Sequence, residues 1–167
     1  MKKTICLIVV FISISTAYSQ TAKEYFYSGN AKYKLQDYSG AIADYSKAIQ
    51  LQPDAAVAYV NRGNAKYDLK NYSGAITDFT KAIQLKPGDA KIYFNRGNAR
   101  FDLEDYSGAI ADYSKAILLQ PNYAEAFNNR GNAKLNLGQK NSGCLDLSKA
   151  GQLGYSKAYD MIRKNCN

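Results

Sequence analysis

Apolar and small residues recur along this chain with two nested periods. At short range they fall three or four positions apart, as on one face of a helix. Tyr59, Gly63 and Tyr67 line one such face, and Ala75, Phe79, Ala82 and Ile83 line another. Between them Asn71 offers a capping side chain, with Asp37 and Asp105 in the same slot of neighbouring stretches. The pattern therefore predicts one helix over about 56–69 and a second over about 72–85. Pro87 closes the pair, because proline cannot continue a helix interior. The whole arrangement then repeats every 34 residues: Pro53, Pro87 and Pro121; Gly29, Gly63, Gly97 and Gly131; Ala48, Ala82, Ala116 and Ala150. Repetition at a fixed period of this size marks a stack of supersecondary units.

Four units follow, at about 22–55, 56–89, 90–123 and 124–154. Mid-helix glycine costs about 1 kcal/mol against alanine, so its return at one slot points to close helix packing, with Tyr59 and Phe79 filling the remaining space. Unit four drifts: Lys140 replaces the tyrosine of Tyr72, Gly143 the alanine of Ala75, and Tyr155 stands where a proline is due. A last helix over about 155–166 carries Ala158, Met161 and Ile162 as an apolar stripe. Lys157, Asp160, Arg163 and Lys164 give it the polar outer face that a terminal cap needs.

The set Tyr59, Gly63, Tyr67, Ala75, Phe79, Ala82 and Pro87 resembles the tetratricopeptide-repeat consensus. The resemblance covers Ala22 to roughly Leu153, with Arg62, Arg96 and Arg130 departing from the leucine frequent in that family. It implies an all-α, right-handed superhelix of tandem helix-turn-helix repeats with a C-terminal capping helix. It also implies a concave face, built from the first helices, that binds extended peptides or partner helices.

Asn30, Asn64, Asn98 and Asn132 form one column, and Asn61, Asn95 and Asn129 a second one, three residues earlier on the same helix face. By the resemblance this strip lies on the concave surface, where amides could bond a peptide backbone whatever its sequence. On that reading neither Asn64 nor Asn98 is needed for packing. Phe26, Val60 and Phe94 would add apolar pockets. Tyr33, Tyr67 and Phe101 fit either the same surface or the core between units. The Phe26 slot holds no lysine, which speaks against a clamp for chaperone tails.

The chain begins Met1-Lys2-Lys3, continues with an uncharged, largely apolar run from Thr4 to Thr16, and reaches Ala17-Tyr18-Ser19. This has the form of a secretory signal peptide over 1–19, cleaved after Ser19. The run falls short of the roughly 20 residues a membrane span requires, and Cys6 lies too early and follows Ile5, against a lipoprotein. The TPR domain would then be 20–167, periplasmic or secreted. Cleavage takes away two lysines and no acid, so the formal charge falls from +8 to +6. The basic residues are dispersed, which argues against nucleic acid as partner.

With no histidine in 167 residues, and no phosphate loop, metal-ligand cluster or nucleophile–base pair, enzymatic chemistry has no foothold and no cofactor is expected. The reading is a scaffold for a protein or peptide partner. Its alternatives are a self-assembling envelope component and an envelope polymer-binding factor. Two further expectations concern cohesion. Cys144 and Cys166 lie at similar distances from the turn near Leu153 to Ser156, so an antiparallel helix pair would bring them together as a disulfide. Asp44, Asp78, Asp112 and Asp146 form a column opposite Arg62, Arg96 and Arg130, with Ser28 in the arginine slot of unit one. Pairing each arginine with the aspartate of the preceding unit, as Arg62–Asp44, Arg96–Asp78 and Arg130–Asp112, would account for that exception.

Overall fold

The computed structural model describes residues 21–166. The leader reading at 1–19, with Cys6, lies outside them. The described residues form nine helices and no strand. Helix α1 covers residues 21–34, followed by α2 (Tyr38–Leu51), α3 (Ala56–Asp68), α4 (Tyr72–Leu85), α5 (Ala90–Asp102), α6 (Tyr106–Leu119), α7 (Ala124–Asn136), α8 (Lys140–Gln152) and α9 (Lys157–Asn165). From α2 on, each packs on the next, and α3, α5 and α7 also touch in succession, while Ser28 and Gly29 set α1 against Asp44 and Tyr45 of α2. The result is the expected solenoid of helix hairpins.

The caps fall where side-chain chemistry puts them. The carboxylates of Asp37 and Asp105 and the amide oxygen of Asn71 accept from the backbone N–H of Gly40, Gly108 and Gly74, at 2.9, 2.9 and 3.0 Å. Gln139 makes no such bond, in keeping with the drift of unit four.

Inside each hairpin the repeated glycine admits a ring. A Cβ at Gly29, Gly63 or Gly97 would stand 2.7 Å from the ring of Tyr45, Phe79 or Tyr113. Those three rings are fully buried, as are Ala41, Ala75 and Ala109 beside them. In unit four the ring becomes Leu147, and α7 and α8 close further. A Cβ at Gly131 would meet the carbonyl of Gly143, and one at Gly143 the carbonyl of Gly131, each at 2.9 Å. Gly143 is thus the condition of that closer approach.

Helix α9 continues the 34-residue register, with Ala158 following Ala56, Ala90 and Ala124. Ala158 is fully buried, whereas Lys157, Asp160, Arg163 and Lys164 are exposed. The helix thus takes the first-helix position of a fifth unit. The sulfurs of Cys144 and Cys166 lie at bonding distance across the α8–α9 joint, with their Cα atoms 5.8 Å apart.

The arginine ladder differs from expectation. Each arginine grips the aspartate of its own unit: Arg62 Nε and Nη2 donate to Asp78 at 2.9 and 2.6 Å. Arg96 does the same to Asp112 at 2.9 and 2.7 Å, and Arg130 to Asp146 at 2.8 and 2.7 Å. The pairs Arg62–Asp44, Arg96–Asp78 and Arg130–Asp112 do not form, because the unit's own α-hairpin brings its carboxylate closer than the neighbour's. Contact with the preceding unit is made through a hydroxyl instead. Arg62, Arg96 and Arg130 each donate Nη1 to Ser46, Thr80 or Ser114 at 3.0 Å. Asp44 is not stranded in unit one, since Ser28 donates to it at 2.6 Å and Lys32 pairs with it at 2.7 Å.

Candidate functional site

The two asparagine columns meet as adjacent first helices stack. Asn61 donates to Asn30 Oδ1 at 2.9 Å, Asn95 to Asn64 Oδ1 at 3.1 Å and Asn129 to Asn98 Oδ1 at 2.9 Å. The hydroxyls of Tyr45 and Tyr113 reach the same oxygens of Asn30 and Asn98, at 2.9 and 2.8 Å. The expectation that Asn64 and Asn98 play no part in packing is therefore corrected: their carbonyls knit successive units together. The Nδ2 groups of Asn30, Asn64 and Asn98 make no bond among the described residues, so they remain as donors for a ligand.

A second inter-unit ladder runs beside the amides. Tyr33 donates to Asp68 at 2.5 Å, and Tyr67 donates to Asp102. Burial, then the bond to Asp68 or Asp102 and that carboxylate's charge, push both phenols well above their ordinary range. Both hydroxyls keep their protons at neutral pH and act as donors. The ladder stops where its parts change together: Phe101 has no hydroxyl, and Asn136 stands 35 residues on, where Asp102 follows Tyr67 by the same step. The same Tyr67 and Phe101 sit edge to tilted against Tyr72 and Tyr106 at 5.3 and 5.2 Å. Of the two places open to the Tyr33 column, the rings take both, packing on their hairpins while lining the inner surface.

Three pockets follow one another along that surface. The first, about 280 Å³, is lined by Asn30, Asn61 and Asn64 with Tyr33, Tyr45 and Lys34. The second, about 100 Å³, is lined by Asn64, Asn95 and Asn98 with Tyr33, Tyr67 and Asp68. The third, about 200 Å³, is lined by Asn98, Asn129 and Asn132 with Tyr67, Phe101 and Asp102. The structure thus gathers all seven asparagines of the strip into one row of openings.

It does not gather the apolar trio with them. Phe26, Val60 and Phe94 are half-buried and line none of the three pockets. Phe26 and Val60 pack against the core around Tyr59 and Phe79. Phe94 lies against Tyr113 and Tyr123, with ring centroids 5.8 and 4.9 Å away. These side chains fill the joint between units, where apolar area is best hidden from water. Asn128, in the same slot of unit four, is buried with its Oδ1 unpartnered.

Sequence reasoning missed a second cation on each aspartate that an arginine grips. Lys66, Arg100 and Lys134 pair with Asp78, Asp112 and Asp146 at 2.7, 2.9 and 2.7 Å. The signal was the four-residue step from Arg62 to Lys66, which places both on one helix face. It also missed the tyrosine–aspartate ladder, legible in the joint loss of hydroxyl and carboxylate at Phe101 and Asn136. Among the described residues, no helix is long and apolar enough to cross a membrane, and no three metal-ligating side chains converge.

The family model for the TPR repeat matches residues 29–70, 63–103 and 97–138. No curated protein sequence matches the chain. Among solved structures, that of MamA superposes with a TM-score of 0.80 at 25% identity, over 84% of this chain and 78% of that one. The first TPR of Spaghetti (RPAP3), bound to the HSP90 peptide SRMEEVD, gives 0.70 at 33% identity, over 72% of this chain and 95% of that one. The Arabidopsis OM64 TPR domain gives 0.68 at 30% identity, over 71% of this chain and 98% of that one.

Proposed function

This chain belongs to the tetratricopeptide-repeat family, and from that premise we propose that it holds an extended peptide segment of a partner protein along its inner face. The observation that carries the reading is the row of three pockets, each bordered by asparagines from adjacent units. An extended strand needs regularly spaced donors and acceptors, and repeated amides supply them at the spacing of the stacked helices. A similar protein, the first TPR of Spaghetti, is solved with a peptide bound, which supports the use of such a fold for peptides. Its ligand is acidic. The clamp lysines such a ligand would want are missing from the Phe26 slot here, so the ligand here is of another kind.

The reading extends to place and role. Met1 to Ser19 acts as a cleaved export signal, and the mature protein works in the periplasm or outside the cell as a non-catalytic scaffold. Cys144 and Cys166 are disulfide-bonded there, because that setting is oxidising. Panning a random peptide library against the oxidised protein, then mapping the selected peptides by amide chemical shifts, tests the groove. Shifts at Asn64, Asn98 and Asn129 are expected. Shifts confined to α2, α4 and α6 would move the site to the opposite face. Sequencing the N-terminus of protein recovered from the culture medium or periplasm tests export, with Gln20 as the expected first residue.

A further inference from the structure

The three pockets differ in charge, and the difference is graded along the groove. Lys34 borders the first, Asp68 the second and Asp102 the third, and no lysine or arginine lines the second or third. The chain as a whole is basic, with formal charge +8. A locally acidic groove therefore runs against the global sign and does not follow from composition.

The third pocket also has an acceptor with nothing to accept. Asn132 Oδ1 is buried and unpartnered. In unit three the equivalent Asn98 Oδ1 takes two hydrogen bonds, from Tyr113 and Asn129. Unit four lacks both donors. The tyrosine slot holds Leu147, and the next asparagine slot holds Arg163, which is exposed and pairs with Asp160. A buried oxygen left without a donor costs free energy until something supplies one. Asp102 is exposed and accepts from Tyr67 through one oxygen only. Tyr67 and Phe101 border the same space with their rings, and aromatic faces attract cations.

Two rings, a carboxylate and an orphan amide oxygen, with no competing cation, form a receptor for a positively charged donor. Resting on the groove reading above, we infer that the partner segment is basic, and that one of its lysine or arginine side chains enters the pocket bordered by Tyr67, Phe101, Asp102 and Asn132. Its charge pairs with Asp102 and its alkyl stem lies along the rings, while a turn of the Asn132 amide, whose Oδ1 is buried and unpartnered, brings that oxygen to one of its N–H groups.

The probe is a blocked heptapeptide of alternating alanine and lysine, titrated into isotope-labelled protein. Its counterparts carry glutamate or norleucine in place of lysine, and free spermidine serves as a fourth arm. The lysine peptide should shift Asn98, Phe101 and Asn132 signals and bind at least about tenfold tighter than the glutamate peptide, as expected for one charge-assisted contact. Asp102→Asn should erase most of that preference. Asn132→Leu, which sacrifices no hydrogen bond of the folded chain, should weaken the lysine peptide about threefold or more and reduce its advantage over the norleucine peptide. Equal binding of lysine and glutamate peptides in the groove would overturn the inference and leave the groove reading intact. Shifts from every peptide confined to the second helices would overturn both. Spermidine binding as tightly as the lysine peptide would overturn the peptide as the source of the cation.

Discussion

Asp78 is almost fully buried and faces two cations, Arg62 in a two-pronged grip and Lys66 at 2.7 Å. Arg62 is further held over the Tyr59 ring, 5.6 Å from its centroid. Removing the anion would leave two cations facing each other in a half-buried joint, and breaking a buried pair costs about 3–5 kcal/mol. Asp78→Asn should lower the unfolding free energy read from urea denaturation by that order, whereas Asp160→Asn, in an exposed pair, should leave it unchanged within about 0.5 kcal/mol. Asp44 adds a pH dependence. Burial pushes its carboxyl up, but hydrogen bonds from Lys32 and Ser28 outweigh this and hold it below the ordinary range. A depressed carboxyl stabilises the fold above the unfolded value of about 3.9, and that contribution disappears as pH falls through the lowered native value. Urea midpoints measured from pH 6 down to pH 2 should therefore fall less steeply in Asp44→Asn than in the parent; parallel curves would remove Asp44 from the account. The asparagine column has an internal control. Asn98 Oδ1 accepts two hydrogen bonds and Asn64 Oδ1 one. At about 1 kcal/mol per hydrogen bond, Asn98→Ala should destabilise more than Asn64→Ala, as urea denaturation would read out.

At the scale of helices, the hairpin joint depends on what stands opposite its glycine. In the first three units a ring does, and in the fourth a second glycine. Gly143→Ala restores the residue that the other units carry, yet its methyl would meet the Gly131 carbonyl at 2.9 Å. A backbone carbonyl cannot rotate aside as a side chain can, so α7 and α8 must separate. Thermal unfolding should show a loss of about 1–3 kcal/mol, the usual cost of overpacking, where consensus reasoning would expect a gain. Gly88→Ala, with nothing within 4 Å, is the control. This pair also shows where sequence reading reaches its limit. Helix ends, caps and the glycine column were legible because each rests on local chemistry repeated at a fixed period: Asp37, Asn71 and Asp105 cap as their residue types require. The arginine partners were not legible. Both candidate aspartates recur at the same period, so the period cannot choose between them; only the distance across the hairpin does. Likewise Phe26, Val60 and Phe94 have the spacing of a surface column, and only the packing of the next unit decides that they are covered.

For the molecule as a whole, a repeat array is held by nearest-neighbour joints, and its ends fray first because each has one neighbour instead of two. Among the described residues the C-terminal joint is α9 on α8, with α9 in the first-helix position of a fifth unit. Cys166 occupies the slot of the asparagine column, and Cys144 the slot of Ile42, Ile76 and Ile110 on the second helices. A cross-link between these two slots would join α9 to the helix before it. With its ends 22 positions apart in sequence, such a loop is worth about 3 kcal/mol by restricting the unfolded chain. The apolar stripe of α9 is short, and of Ala158, Met161 and Ile162 only Ala158 is fully buried. Reduction should therefore free α9 before any other helix. Hydrogen exchange in the presence of dithiothreitol should show protection lost first across 157–165, then in α8, with α3 to α6 unchanged at low denaturant. Cys144→Ser with Cys166→Ser should reproduce the pattern without reductant. Because the third pocket lies against α7, whose outer neighbour is α8, the same variant should bind a groove ligand slightly less tightly and release it faster. Uniform loss of protection along the chain would instead mean that the array unfolds as one cooperative block. Two freely titrating thiols in the untreated protein would remove the cross-link from the native state altogether.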